Sequence, residues 1–370
     1  MKSRAMVLIA EKRLEMMEME VPPVRPGEAL LRVEACGMCG TDIQQYRGTL
    51  NRTTPECYPV IPGHEPVGII EEISAEAAKN WGVAAGDRVA VLPMICCGMC
   101  DHCLGGQHHR CKGVMPFARP AYGFVPITYE HGLWGGYGEY IHLHPRTLLC
   151  KVPPEVPAKF AAMYQSLASG IRWAVQIPET VFSDSVLVLG CGQRGLAAVT
   201  ALRAAGVQKI IVTGLARDRY KLRQAKRLGA SDTIVVDEEN TVERVMAITN
   251  DRGVDVALDV VPYSTQSFLD AIEAIRPGGT IVVAGVKGPN TRAALATDRI
   301  LYKEITVKGA FTQKFDAYQK AVELLSRNLS TLEALHTHEM PIDRLEEALA
   351  MLSGETPGAE VICMSVHPHL

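Results

Sequence analysis

Residues 185–199 read SVLVLGCGQRGLAAV, and this stretch decides the fold of the second half of the chain. An apolar run is followed by Gly190, Gly192 and Gly195 in the pattern GxGxxG, and then by a helix-forming segment. Glycines at these positions permit a tight turn and let backbone N–H groups approach a pyrophosphate at a helix N-terminus. The pattern alone can be an ordinary glycine-rich turn, but its place between strand and helix predicts a dinucleotide-binding site.

Further apolar runs of the same kind follow. They read KIIVTG, DTIVVD, VDVALDVV and TIVVAGV, and they alternate with helical segments such as RDRYKLRQAKRLGA. Strands that are buried on both faces and joined by helices are typical of a doubly wound parallel sheet. We therefore predict an α/β nucleotide domain over residues 156–308.

The first 155 residues follow a different pattern. Short apolar runs such as AMVLIA, EALLRVEA, VGIIEEI and GEYIHL are separated by proline and glycine turns. This predicts a strand-rich, barrel-like domain over residues 1–155. Residues 309–370 continue the strand and helix alternation less clearly, and we expect this tail to return to the first domain. A chain of 370 residues is long enough for two domains of ordinary size.

The end of the run KIIVTG bears on the choice of dinucleotide. An NAD site usually has an acidic residue at this point, which accepts hydrogen bonds from the ribose 2′-hydroxyl. Here the run ends in Gly214, and Arg217 and Arg219 follow. Their guanidinium groups suit a 2′-phosphate. We therefore predict a preference for NADP(H), with NAD(H) bound through Asp218 as the alternative.

Four cysteines lie within residues 97–111, which read CGMCDHCLGGQHHRC. The spacing of Cys97, Cys100, Cys103 and Cys111 is typical of a tetrahedral zinc site, and four thiolates leave no open position for a substrate. An iron–sulfur cluster and disulfides are the alternatives. We expect a structural zinc lobe at about residues 96–112. The start of the chain lacks a secretory apolar core, so we expect a reducing, cytoplasmic location.

Two glycine-rich loops contain further residues of metal-ligand type. Cys39 lies in ACGMCGTD, and His64 and Glu65 lie in IPGHEPVG. Together with GDRVAV, the four-cysteine lobe, GGYGEYI and LGCGQRG, in this order, these motifs resemble the zinc-dependent medium-chain alcohol dehydrogenase family over nearly the whole chain. The resemblance implies a GroES-like catalytic domain and a Rossmann domain. It extends to the polyol and threonine dehydrogenases only in general pattern.

The resemblance implies roles for these residues. Cys39 and His64 match catalytic zinc ligands, and Glu65 matches a carboxylate that ligates the metal or stands behind it. A zinc with an open position polarises an alcohol or carbonyl oxygen and so favours hydride exchange with a nicotinamide. Thr41 matches the hydroxyl that relays the substrate proton, and Asp42 the carboxylate that orients the histidine. Taken singly, each also suits a structural role, such as a buried cysteine or a helix cap.

Two glutamines depart from the family pattern. Gln165 stands where the family usually supplies a cysteine or carboxylate to the zinc. It can bind through its carbonyl, contact a zinc-bound water, or leave Glu65 to complete the shell. We predict a catalytic zinc that is present but more labile than the structural one. Gln44 replaces a relay histidine and cannot titrate near neutral pH. Ser169 matches a position that packs on the nicotinamide.

Composition limits the partners. The net charge is −3 and no run of Lys or Arg forms a basic stripe, so nothing indicates nucleic acid or an anionic membrane. No apolar stretch approaches the about 20 residues of a membrane span. We expect a small-molecule substrate and, from the resemblance, a homodimer or homotetramer. The aromatic segment 116–134 can form part of a substrate wall or a subunit contact.

The predicted function is hydride exchange between a nicotinamide cofactor and an alcohol or carbonyl, with secondary alcohols or ketones preferred. One alternative is a zinc-independent enone or quinone reductase of the same superfamily, which needs none of the three ligands Cys39, His64 and Glu65. The other is an NADP(H)-binding protein without turnover, in which Gln165 marks a decayed metal site.

Overall fold

The structure is a computed structural model that describes residues 1–50, 58–111, 120–327 and 329–370. The described chain forms two compact units, residues 1–165 with 314–370 and residues 166–313. The domain bounds expected at residues 155 and 308 stay predictions, and the part of the segment 116–134 before Pro120 lies outside the described residues. No described helix has the length and apolar character needed to cross a bilayer.

The strands of the described chain are, in order, β1 Lys2–Ala10, β2 Arg13–Glu20, β3 Ala29–Met38, β4 Glu65–Ile73, β5 Arg88–Val91, β6 Tyr140–Leu143, β7 Leu149–Lys151, β8 Ser185–Leu189, β9 Lys209–Gly214, β10 Asp232–Val235, β11 Val254–Asp259, β12 Ile275–Val283, β13 Thr306–Gly309, β14 His336–Pro341 and β15 Cys363–His367.

The α-helices of the described chain are α1 Gly40–Tyr46, α2 Ala75–Trp81, α3 Asp101–Leu104, α4 Ala158–Ala161, α5 Tyr164–Gly170, α6 Gln193–Ala204, α7 Arg219–Arg227, α8 Thr241–Ile248, α9 Gln266–Ala274, α10 Asp298–Lys303, α11 Phe315–Arg327, α12 Leu329–Leu332 and α13 Leu345–Ser353. A π-helical stretch, Ile171–Gln176, follows α5 directly.

The first unit is built on a mixed sheet. Its strands run in the order β14–β15–β3–β4–β5–β7, and β6 also pairs with β3. The pairs are antiparallel except for β14 with β15. Alternate side chains of β3, including Leu31 and Val33, pack with Val89 and Ile141 in the core. Strands β14 and β15 come from the tail of the chain, so the tail extends the sheet that β3 begins.

The second unit is a six-stranded parallel sheet in the order β10–β9–β8–β11–β12–β13. All five residues of β8 and all six of β11 are buried, as the continuous apolar runs of the sequence require. Helices connect the strands, and the order reverses direction beside β8. The predicted α/β class, with a strand-rich first half and a doubly wound parallel sheet, is confirmed.

Asp255 on β11 is a polar centre within this parallel sheet. It is 5% exposed and accepts hydrogen bonds from the backbone nitrogen and hydroxyl of Ser185, at 2.8 and 2.7 Å. Arg276 and Arg252 each donate to its Oδ1 at 2.6 Å. Burial raises the pKa of the carboxyl, but the hydrogen bonds from Ser185 and the two arginines outweigh burial and lower the pKa to about 2.

We expect Asp255→Asn to lower the free energy of unfolding by about 2 kcal/mol at neutral pH, because the amide cannot hold both arginines. The carboxyl has a pKa of 3.8 when unperturbed. Its stabilisation is therefore complete above that value and is lost as the pH falls toward about 2. Thermal midpoints of parent and variant, measured from neutral pH downward, should converge in acid. Asp251→Asn, at an exposed position nearby, is the matched control, and equal midpoints at neutral pH would contradict the assignment.

Candidate metal centre and cofactor site

The pairing of β3 with β4 determines where the ligand-type side chains meet. Gly37 of β3 lies opposite Glu65 of β4. Cys39 follows the end of β3 and His64 precedes the start of β4, so the two loops lie side by side. Cys39 Sγ is 3.4 Å from His64 Nε2, which is 3.8 Å from Glu65 Oε1. All three ligand atoms lie within 4.8 Å of one another.

This group fits a zinc ion. Bonds of about 2.0–2.3 Å in a tetrahedron place neighbouring ligand atoms about 3.3–3.8 Å apart, which matches the distances from His64 Nε2 to Cys39 Sγ and to Glu65 Oε1. Cys39, His64 and Glu65 are 4%, 5% and 0% exposed. Burial of a thiol, an imidazole and a carboxylate together is costly without a compensating charge. A divalent cation supplies that charge.

Asp42 anchors the Cys39 loop and lies beside His64. The Cys39 backbone nitrogen donates to Asp42 Oδ2 at 2.8 Å, and Asp42 Oδ1 lies 3.4 Å from His64 Nδ1. The ring nitrogen Nε2 is thereby left to face Cys39. Burial lowers the pKa of His64, but the charges of Asp42 and Cys39 outweigh it and raise that pKa well above its usual value. A bound metal would replace this proton, since ligation requires the neutral imidazole.

Helix α1 begins directly after Cys39 and carries the two predicted relay positions. Thr41 and Gln44 are both partly buried on it. Gln45, which sequence reasoning did not single out, is 1% exposed and donates from Nε2 to the carbonyl oxygen of Gly123 at 2.7 Å. Phe124 follows Gly123 in the chain, and its ring centroid lies 5.3 Å from the ring centroid of His64. An aromatic side chain therefore borders the Cys39, His64 and Glu65 group. In the sequence, only the aromatic segment 116–134, which contains Phe124, pointed to this contact.

Gln165 lies on α5 and is 5% exposed. Its Oε1 accepts a hydrogen bond from the Tyr318 hydroxyl at 3.3 Å. The atom that could ligate zinc thus already has a donor on α11. This pairing could not be predicted from the sequence, because the two residues are 153 positions apart.

The four-cysteine lobe is assembled as its spacing predicts. The sulfurs of Cys97, Cys100, Cys103 and Cys111 lie within 4.8 Å of one another. Backbone N–H groups of Cys97 and Cys100 donate to Cys111 Sγ and Cys97 Sγ, each at 3.3 Å. Hydrogen bonds from the backbone nitrogens of Met99 and Cys100 lower the pKa of Cys97 to about 6. Such donors favour the thiolate that zinc requires.

The glycine pattern lies where β8 turns into α6. Gly190 has φ +105°, a conformation that favours glycine. A Cβ on Gly195 would approach the Gly190 carbonyl oxygen to 1.9 Å, so the turn requires glycine there as well. Gly192 precedes the first residue of α6. The backbone N–H groups at this helix start are suited to a pyrophosphate.

The arginines after β9 differ in their surroundings. Gly214 ends the strand and is buried. Arg217 is exposed and makes no ion pair within the described part of the chain, whereas Arg219 binds Glu238 at 2.5 Å. The carboxylate of Asp218, the alternative ribose partner, is 2.9 Å from Lys221 Nζ. Of the two predicted phosphate-binding side chains, Arg217 is the one available to a ligand.

Ser169 is fully buried in the second unit, and two polar side chains converge on it. Arg194 Nη1 and Gln313 Nε2 each lie 2.5 Å from its Oγ. Arg194 is the residue directly before Gly195 in the GxGxxG turn, so the turn and Ser169 are directly linked. An arginine within this motif is a signal that could have pointed to the contact.

Comparisons with known proteins agree with this geometry. The family model for the alcohol dehydrogenase GroES-like domain matches residues 25–154, and the model for zinc-binding dehydrogenases matches residues 195–327. The chain is 39% identical to a protein of Mycobacterium tuberculosis that is named as an alcohol dehydrogenase. The similarity covers 97% of this chain and 96% of that protein. It is 31% identical to the erythritol/L-threitol dehydrogenase of Mycolicibacterium smegmatis, covering 96% and 94%.

Solved structures give the same result. An alcohol dehydrogenase from Thermotoga maritima has a TM-score of 0.87 at 27% identity, and 99% of each chain is covered. A zinc-binding dehydrogenase from Sinorhizobium meliloti, solved with NADP, has a TM-score of 0.83 at 25% identity, and 100% of each chain is covered. With a buried Cys–His–Glu group, a four-cysteine lobe and a GxGxxG turn all in place, the chain belongs to the zinc-dependent medium-chain alcohol dehydrogenase family.

Proposed function

We propose that this chain interconverts an alcohol and a carbonyl compound with NADP(H), and that secondary alcohols or ketones are its substrates. The observation that carries the proposal is the buried group Cys39, His64 and Glu65, within 4.8 Å. A reductase that delivers hydride to an enone without zinc does not need these ligands. A binding protein without turnover has no need of a compact ligand set buried beside Phe124.

Each residue of the group has a proposed role. Cys39 and His64 hold the zinc, and Glu65 completes the shell or stands behind it. Asp42 fixes the His64 ring through Nδ1 and the Cys39 loop through the backbone. A zinc bound here supplies Lewis-acid polarisation of the substrate oxygen.

Thr41 is proposed to pass the substrate proton outward. Gln44, one turn along α1, cannot take that proton near neutral pH, so the proton leaves through another group or through water. Phe124 is proposed to border the substrate, since its ring faces His64.

The cofactor site is proposed to lie on the second unit. Gly190, Gly192 and Gly195 admit the pyrophosphate to the start of α6. The buried Ser169, held by Arg194 and Gln313, is proposed to support the nicotinamide. The NADP-bound relative from Sinorhizobium meliloti supports the choice of NADP(H).

The function is tested by a screen of alcohols, ketones and enones with both cofactors, on protein of measured zinc content. We expect His64→Ala to reduce alcohol oxidation by at least about 100-fold, because the open metal site is lost. Cofactor binding, followed by nicotinamide fluorescence, should be unchanged. Arg344→Ala, at an exposed arginine paired with Glu347, is the control for surface substitution. Enone reduction that survives zinc removal would favour the zinc-independent alternative.

Arg217 is expected to select the phosphorylated cofactor. Arg217→Gln should raise KM for NADPH about tenfold, the loss expected for one charge-assisted hydrogen bond to phosphate. KM for NADH should hardly change. The matched control is Arg219→Gln, whose guanidinium is already bound to Glu238 and should contribute less. A parent enzyme that prefers NADH would contradict the proposal.

The catalytic zinc is expected to leave before the structural one. Mild chelation should abolish activity while zinc stays in the four-cysteine lobe, because Gln165 offers a neutral oxygen in place of an anionic ligand. Gln165→Glu should slow the loss of activity by restoring a charge. Tyr318→Phe removes the hydroxyl donor without adding charge and is the matched control. Activity that survives chelation in the parent would contradict the expected lability.

The proposed surroundings of the enzyme follow from its chemistry. No disulfide joins any of the described cysteines, which supports the proposed cytoplasmic location. A homodimer or homotetramer is proposed. The second unit supports it with an uncovered edge strand, β13, and with the exposed side chains of Leu301 and Tyr302 at 68% and 79%.

A further inference from the structure

A second group of ligand-type side chains lies in the first unit. Glu28 immediately precedes β3, and His142 lies on β6, where the strand register pairs it with Leu30. His131 reaches the same place from the loop before β6. His131 Nε2 is 3.1 Å from Glu28 Oε1, and His142 Nε2 is 3.8 Å from Glu28 Oε2. The three ligand atoms lie within 4.8 Å of one another.

The group is buried and incompletely hydrogen-bonded. His142 is 0% exposed, and the side chains of His131 and Glu28 are 8% and 10% exposed. Burial and the neighbouring His131 lower the pKa of His142 to about 4, and neither ring nitrogen makes a hydrogen bond of normal geometry to any described residue. His131 Nδ1 likewise has no hydrogen-bond partner among the described residues. Buried polar atoms without partners cost stability and call for an explanation, such as an ion.

We propose that Glu28, His131 and His142 bind a divalent transition-metal ion, with zinc as the best fit. Two imidazoles and one carboxylate are a ligand set that zinc accepts, and they leave a fourth position for water. The separations of 3.1 and 3.8 Å lie on either side of the about 3.3–3.6 Å between nitrogen and oxygen ligands of one tetrahedron, so small side-chain shifts would bring them to it. The two rings now stack in parallel with centroids 4.0 Å apart, so binding would tilt them until both nitrogens face the ion.

The charges around the group suit a cation. Glu28 Oε2 accepts the Arg25 backbone N–H at 3.0 Å, which fixes the carboxylate. The Arg25 side chain is turned to Glu130, 2.5 Å away, so its charge is compensated by a carboxylate.

The bound ion would hold the loop that contains His131 against the sheet that contains β3 and β6. His131 has φ +78°, a conformation that is unfavourable for a residue with a side chain. Its ring nevertheless lies beside Glu28, which directly precedes β3, and His142 of β6, and the loop that contains it also carries Phe124. Metal binding at the strands would therefore stabilise the loop that borders the Cys39–His64–Glu65 group. The expected effect is on stability and metal content, whether or not the chain oxidises alcohols.

The metal content of the intact protein tests the proposal. After growth with zinc and removal of loosely bound metal, the parent should hold one more zinc per chain than His131→Asn or Glu28→Gln. Asparagine tolerates the left-handed backbone at position 131, and glutamine keeps the shape of Glu28, so both variants should fold. His144→Asn removes a histidine two positions from His142 and is the matched control, with metal content equal to the parent.

A second measurement does not depend on zinc retention. Added zinc or cobalt should raise the thermal midpoint of metal-depleted parent and of His144→Asn by more than that of the two site variants, which keep only the two cysteine-containing sites. Cobalt at this site should show no thiolate-to-metal charge-transfer band, unlike cobalt at either cysteine-containing site. Equal metal content in all four proteins, together with equal midpoint shifts, would overturn the proposal. So would a midpoint shift in the parent accompanied only by thiolate bands.

Discussion

The antiparallel pairing of β3 with β4 is the constraint on which the candidate metal centre depends. It places Gly37 opposite Glu65, so the residues that follow β3 and precede β4 must lie side by side. The register leaves no room for a side chain at position 37. A Cβ there would approach the Ala162 carbonyl oxygen to 2.6 Å and Glu65 Oε2 to 2.8 Å. A shift of one residue in the register of β3 and β4 would turn the Glu65 side chain to the other face of the sheet and separate it from His64.

Local patterns predicted the parts of the structure that are local in the chain. The GxGxxG turn and the four-cysteine lobe each lie within fifteen residues, and their geometry follows from short-range turns and spacing. Buried parallel strands were equally evident from continuous apolar runs. Family resemblance was needed to connect Cys39 with His64, since nothing in the spacing of 25 residues states that two loops meet.

Contacts over long distances in sequence could not be read in the same way. Tyr318 meets Gln165 only because the tail of the chain packs back on the first unit, and Arg219 meets Glu238 across a sheet edge. Glu28 and His131 are 103 residues apart, and both look ordinary in the sequence. Physical pairing of polar groups across a fold depends on strand order and register, which periodicity alone does not specify.

The hydrogen bond from Gln45 to the Gly123 carbonyl couples the position of Phe124 to the position of helix α1. It joins α1, which begins directly after Cys39, to the residue before Phe124. Gly123 is itself closely packed, since a Cβ there would lie 3.2 Å from that of His64. A bulky substrate that pushed Phe124 aside would therefore pull on the helix that follows Cys39, a proposed metal ligand. Size discrimination in this enzyme would then appear in the turnover rate as well as in binding.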